Sequence, residues 1–214
     1  RNYSPDELLK GQNSKNINSE GASLLNKWKS LADEITGASA RFVKEMDFSF
    51  LYLKNRGLFS IGYNVEKSQL DKGTYDLLAS EARIGSYIAI AKGDIPAEHW
   101  FRLSRRLTSL SQNEILLSWS GTMFEYLMPL LFLKSYPETL LNHTDEHVVS
   151  WQKEYGIKRD RPWGYSESAY YFLNIELHYQ YRAFGAPGLG LRRGLAEDYV
   201  VAPYASMLSL MVDP

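Results

Sequence analysis

Glycine and proline divide this chain into stretches whose apolar residues recur at helical spacing, and that pattern constrains the fold most. Residues 1–20 are rich in Asn, Ser, Lys and Gly and read as a loose polar lead-in. Ser23 to about Met46 has a helical pattern, as one helix or as two split near Gly37. Phe48–Leu53 and Leu58–Tyr63 flank Asn55-Arg56-Gly57 and suggest a small hairpin. Thr74 is a good N-cap for a helix to about Lys92, ahead of Gly93. Another helix is expected from Pro96, since proline suits a first turn. Thr122–Leu133, Thr139–Tyr155, Ser166–Glu176 and Val201–Met211 read as further helices, with Ser166 as an N-cap. Tyr179–Leu191 carries Gly185, Pro187, Gly188 and Gly190 and reads as an ordered loop. The expectation is a mainly α domain with a small β ornament.

At 214 residues, 44% of them hydrophobic, the chain is long enough for one sizeable core or two small ones. Its 23% charged residues and many aromatics argue against global disorder. The 24 basic and 25 acidic residues nearly cancel, to a net of −1, which argues against a dedicated nucleic-acid binder. The basic patches Lys158-Arg159-Asp160-Arg161 and Arg102–Arg106 read as solvated faces. Without cysteine there is no disulfide scaffold, thiolate metal site or cysteine nucleophile. The most apolar run, Met123–Leu133, contains Glu125 and Pro129 and is far shorter than the roughly 20 residues a membrane span needs. The chain opens on Arg1 and stops soon after an apolar run, which suggests a piece of a longer protein. Any targeting or membrane segment would then lie outside it.

Two familiar motif types are weak here. His143 and His147 stand four apart on a helical stretch, a spacing that can share a metal, but Thr144 stands where a zincin needs glutamate. Gly188-Leu-Gly-Leu-Arg-Arg-Gly194 only partly matches a dinucleotide fingerprint: its last glycine comes one residue late and no βαβ unit surrounds it. A loop whose backbone closely approaches a ligand or another element is the better reading.

The acids carry more information. On a helix, Glu81 would share its face with Leu77, Leu78, Ile84 and Gly85. Burial there raises a carboxyl pKa and keeps a proton available, as a general acid requires. The same position would suit a structural ion pair with Arg83 equally well. Glu167, in the first turn of a helix capped by Ser166, would stay ionised, as a nucleophile requires. Stability alone also places acids at helix starts. Glu125 lies among apolar residues and is either functional or firmly paired. Two carboxyls in opposite environments are the pattern of glycoside chemistry. Trp119, Tyr126, Trp163, Tyr165, Tyr170 and Tyr181 lie near these acids in sequence and could stack on sugar faces, although some must be core.

Several long motifs then appear in order: Thr74-Tyr-Asp-Leu-Leu-Ala-Ser-Glu81-Ala-Arg83, Ser118-Trp-Ser-Gly-Thr-Met-Phe-Glu125-Tyr-Leu-Met-Pro129, Pro162-Trp-Gly-Tyr-Ser-Glu167-Ser-Ala-Tyr170, Gly185-Ala-Pro-Gly-Leu-Gly-Leu-Arg-Arg-Gly194 and Tyr199-Val-Val-Ala-Pro-Tyr204. Over about residues 42–214 they resemble the central glycoamylase-like domain of cyclic β-1,2-glucan synthases. The resemblance implies an all-α fold, part of an (α/α)6 toroid over residues 21–214 that is truncated at its C-terminal side. It implies closure of linear β-1,2-glucan into a ring by retaining transglycosylation, with Glu81 as acid/base and Glu167 as nucleophile. It assigns substrate contacts to Tyr75, Asp76, Arg83, Trp119, Glu125, Tyr126, Trp163, Tyr165, Tyr170 and Arg192. It calls for no cofactor and no metal.

Its implied partners are the glucan chain and the glycosyltransferase and phosphorylase domains of the same polypeptide. Its implied place is the cytoplasmic side of the bacterial inner membrane, within a larger membrane protein. An open toroid would bare apolar faces, a route to self-association. An inverting endo-β-1,2-glucanase-like hydrolase and a non-catalytic glucan-binding or scaffold domain remain as alternatives.

Overall fold

The computed structural model describes residues 19–171, 173–180, 184–192, 195 and 198–214. The chain forms two compact units, Arg1–Asp47 and Phe48–Pro214. In the first, one uninterrupted helix, α1 (Ser19–Glu45), runs straight through Gly37. Leu24, Trp28, Leu31, Ile35 and Phe42 recur along it at spacings of three, four and seven, which makes one apolar stripe.

The second unit opens with strands. β1 (Tyr52–Leu53) and β2 (Leu58–Ser60) form the expected hairpin, with Tyr52 opposite Phe59. A second hairpin follows, β3 (Tyr63–Asn64) with β4 (Gln69–Leu70), and β5 (Thr74–Tyr75) then joins β2. Thr74 is thus a strand residue paired with Ser60, not a helix cap. Residues 76–82 turn instead of coiling, because Ser104 N–H donates to the Asp76 carbonyl and Leu78 N–H to the Ser104 carbonyl. The Ser80 hydroxyl accepts from Ala82 N–H at 3.2 Å, the local competition that keeps serine out of helix interiors. Helix α2 therefore spans only Arg83–Lys92, closed by Gly93 at φ +78°.

Helix α3 (Glu98–Arg102) follows Pro96. A hairpin that the sequence reading did not contain comes next, β6 (Leu107–Leu110) with β7 (Asn113–Leu116). Its turn residues Ser111 and Gln112 both have positive φ, 50° and 67°, the backbone twist of a tight two-residue hairpin. Helix α4 (Met123–Leu127) passes into a 3-10 turn, Met128–Leu131, at Pro129. Helix α5 (Leu140–Lys158) starts where Thr139 accepts from Asn142 N–H. Helix α6 (Pro203–Leu208) ends in a 3-10 turn, Ser209–Met211.

The all-α expectation is overturned. The described residues hold seven strands in three small antiparallel sheets beside six α-helices, and a helical toroid is not seen among them. The helix expected from Ser166 is also absent: Ser166 N–H donates to Val200, Tyr165 bridges Val201, and Tyr170 N–H donates to the Gln180 carbonyl.

The main core gathers Ile115 and Leu116 from β7, Met123, Tyr126 and Leu127 from α4, Val148 and Val149 from α5, and Tyr165, Phe184 and Leu189 from the loops. A smaller core holds Phe59, Ala89 and Ile95. His99 seals it, stacking edge-on to Phe59 at 5.0 Å. Since the Gly57 carbonyl can only accept, His99 Nδ1 carries the proton and Nε2 accepts from Ser86.

Candidate active site

Two glutamates, Glu125 and Glu167, engage the segment before α4, and the charge of a third, Glu81, acts on both. Glu125, 5% exposed, turns back from the helix onto residues 118–121. It accepts from Ser118 Oγ at 2.5 Å, from Gly121 N–H at 2.8 Å and from Ser120 N–H at 3.1 Å. Burial pushes its carboxyl up, these three donors pull it down, and the Glu81 charge pushes it up further. A carboxyl so fully engaged is held in place.

The 118–121 segment is positioned by the glycine-rich loop. Ser118 N–H donates to the Leu189 carbonyl, Leu191 N–H to Ser118, Ala186 N–H to Ser120 and Arg192 N–H to Trp119. A Cβ on Gly190 would lie 2.6 Å from the Ser120 oxygen, so only glycine permits this approach. The loop is thus the close-approach element that the glycine spacing suggested.

Glu167 is half-buried and accepts from Thr122 Oγ1 at 3.1 Å. Burial, then the charge of Glu125, push its carboxyl up to about 7, against the Thr122 hydrogen bond. No helix start stabilises its anion. The Ser166 hydroxyl, expected to cap a helix of its own, accepts from Phe124 N–H in the first turn of α4. Tyr204 Oη donates to the Glu167 carbonyl at 2.8 Å.

Glu81 sits in the turn before α2, not on a helix face, and accepts from Ser80 Oγ at 3.3 Å. Its charge raises the carboxyls of Glu125 and Glu167 and the Tyr75 hydroxyl, so the three acids and Tyr75 share one electrostatic neighbourhood. Arg83, 2% exposed, donates from Nη2 to the Tyr126 carbonyl at 3.0 Å. Burial lowers its pKa, while the charges of Asp145 and Glu81 oppose that shift.

The remaining expected substrate contacts scatter. Asp76 is half-buried beside the Ser104 backbone. Trp119 is 38% exposed on the 118–121 segment. Tyr126 and Tyr165 are core residues, their hydroxyls donating to the Leu116 and Gly185 carbonyls. Trp163 is half-buried, with the Lys153 ammonium 5.5 Å from its ring. Tyr170 donates to Asp198 at 2.8 Å, and Arg192 is exposed. Tyr181 lies outside the described residues. His143 lies near Glu138 and Glu146, and His147 meets the Glu114 carbonyl.

Three polar residues escaped the sequence reading: Ser118, Thr122 and Asp145. Asp145 had a legible signal, an acid on the α5 face that also buries Val148, Val149 and Gln152.

A family model described as Glycoamylase, "Putative glucoamylase", matches residues 74–214. The chain is also 52% identical over 169 residues to cyclic beta-(1,2)-glucan synthase NdvB of Rhizobium meliloti (strain 1021). That match covers 79% of this chain and 6% of the relative's length. No helix among the described residues is long and apolar enough to cross a membrane. With two thirds of its length under the family model and its acid motifs inside that stretch, the chain belongs to the glycoamylase family.

Proposed function

We propose that this chain supplies the cyclising centre of a β-1,2-glucan synthase and transfers glycosyl groups with retention. The carrying observation is the coupled trio of glutamates in which Glu167 is raised to about 7 by burial and by the neighbouring negative charge. A carboxyl that keeps its proton near neutrality suits a general acid. The roles therefore run opposite to those the motifs suggested, with Glu167 as acid/base and Glu81 as nucleophile. The family resemblance implies the reverse roles; the environments expected for those roles, a helix start at Ser166 and a helical face around Glu81, are absent among the described residues.

In the first step the Glu81 carboxylate attacks the anomeric carbon, the bond to the leaving glucan oxygen breaks, and Glu167 gives that oxygen its proton. In the second, the chain's own 2-hydroxyl attacks the glycosyl-enzyme, Glu167 takes the proton, and Glu81 is released. One glycosidic bond breaks and one forms, with no water consumed. Glu125 stays fixed by Ser118, Ser120 and Gly121 and holds the Glu167 carboxyl up. The glycosyltransferase and phosphorylase domains of a longer polypeptide, at the cytoplasmic face of the inner membrane, would make and trim the glucan.

The intact protein should convert linear β-1,2-glucan to species one water lighter than the linear chain of equal length, with the anomeric configuration retained by NMR. Inverted reducing sugars, or an unchanged glucan, would overturn the reading.

A further inference from the structure

A cavity of about 530 Å³ opens between α2, α3, the Met128–Leu131 turn and the start of α5, and none of the three glutamates lines it. Four charged side chains do, Arg83, Arg105, Lys134 and Asp145, and two of them are buried: Arg83 and Asp145, 2% and 1% exposed. Among the described residues, Arg83 Nη1 and both Asp145 carboxyl oxygens have no hydrogen-bond partner. Buried polar groups in this condition cost about 1–3 kcal/mol each, so the arrangement points to something that satisfies them. Tyr87, Trp100, Leu130 and Leu141 supply flat and apolar wall.

We propose that this cavity binds one to two sugar units of a glucan chain, as an anchoring site separate from the three glutamates. The inference rests on the glucan reading for the identity of the sugar. A hydroxyl can donate to Asp145 and accept from Arg83 Nη1 at once, which neither a simple anion nor a simple cation can do. The two buried charges are opposite, and the two outer cations are engaged elsewhere, Arg105 by the Leu103 and Trp100 carbonyls and Lys134 by the Tyr136 ring, which favours a neutral polyol. Sugar C–H faces suit Trp100 and Tyr87, and the volume falls within the range of small-ligand pockets. Burial also drives the Asp145 carboxyl up to about 7, so it can present an O–H as well as accept one.

The probe is sophorotriose, the β-1,2-linked glucose trisaccharide, carrying a photoreactive group. It is used on the intact protein with Glu167→Gln in place, so that nothing is turned over. Label is expected on peptides spanning Arg83–Trp100 and Leu130–Asp145, competed by plain sophorotriose. It should fall about tenfold in Tyr87→Ala, a change at a half-exposed helix position, and in Leu141→Trp, which fills the cavity. Label confined to peptides around Glu81 and Glu167, or cavity label indifferent to both variants, would overturn the proposal. So would hydrogen exchange showing Leu130–Leu141 already covered by another polypeptide segment. Turnover of glucan by the wild-type protein is scored separately. Its absence with cavity label intact would sink the catalytic reading alone, and its presence with no cavity label would sink this one alone.

Discussion

A half-buried carboxyl beside two other glutamates holds its proton longer than one in water, and the chemistry assigned to Glu167 follows from that environment. The first step needs Glu167 protonated, so kcat/KM on β-1,2-glucan should fall as pH rises through about 7. With an activated glycoside whose leaving group needs no proton, Glu167→Gln should lose that alkaline limb. Added azide should then restore turnover by about a hundredfold and give an azide adduct of retained configuration. A retained-configuration azide adduct from Glu81→Gln instead, with an inverted one from Glu167→Gln, would return the roles to those the motifs suggested. Asp145 makes a separate prediction. Its carboxyl rises from the ordinary 3.8 to about 7 because burial outweighs Arg83. Between those values the native state keeps a proton that the unfolded chain has released, so stability falls as pH rises across that window. Asp145→Asn removes this titration. Its unfolding free energy, measured by denaturant at pH 5 and pH 8, should gain on the wild type at the higher pH. A gap independent of pH would refute the assignment.

The elements whose signals are local were legible in sequence. Thr139 begins α5 by capping Asn142, Gly93 closes α2 in the left-handed conformation, and the β1–β2 hairpin sits where its glycine placed it. The elements that differ were decided by distant partners. Thr74 looked like a cap until Ser60 claimed it for a strand, and Ser166 gave its hydroxyl to α4 across 42 residues of sequence. Glu167 adjoins Ser166 and Glu81 follows the Thr74 strand, which is why their identity was readable and their environments were not. The same contrast separates two glycines. Gly190→Ala would press a methyl against the Ser120 oxygen and disturb the segment holding Glu125. It should cost about 1–3 kcal/mol and most of the activity. Gly85 lies inside α2, where an added Cβ meets nothing within 4 Å, so Gly85→Ala should stabilise by about 0.5–1 kcal/mol. Thermal unfolding of the pair checks the contrast, and equal effects would contradict the described loop contact.

At the scale of the whole molecule, family membership was readable because long motifs appear in order, whereas the architecture was misjudged. Outside the expected hairpin the chain reads as helix and loop, yet residues 63–64, 69–70, 74–75 and 107–116 also form short strand pairs, and those of 113–116 feed the main core. Periodicity over so few residues cannot separate a two- or three-residue strand from a helical turn. The three glutamates come from a turn, a helix and a loop, and the glycine-rich segment holds the ground between them. Their division of labour can be read directly by trapping the covalent intermediate. Glu167→Gln protein should be mixed with an activated, slowly deglycosylating β-glucoside donor, digested, and the adduct located by mass spectrometry. The account predicts a glycosyl group on the peptide carrying Glu81. A glycosyl group on the Glu167 peptide when the same donor is given to Glu81→Gln, with none on Glu81 in the first experiment, would contradict it.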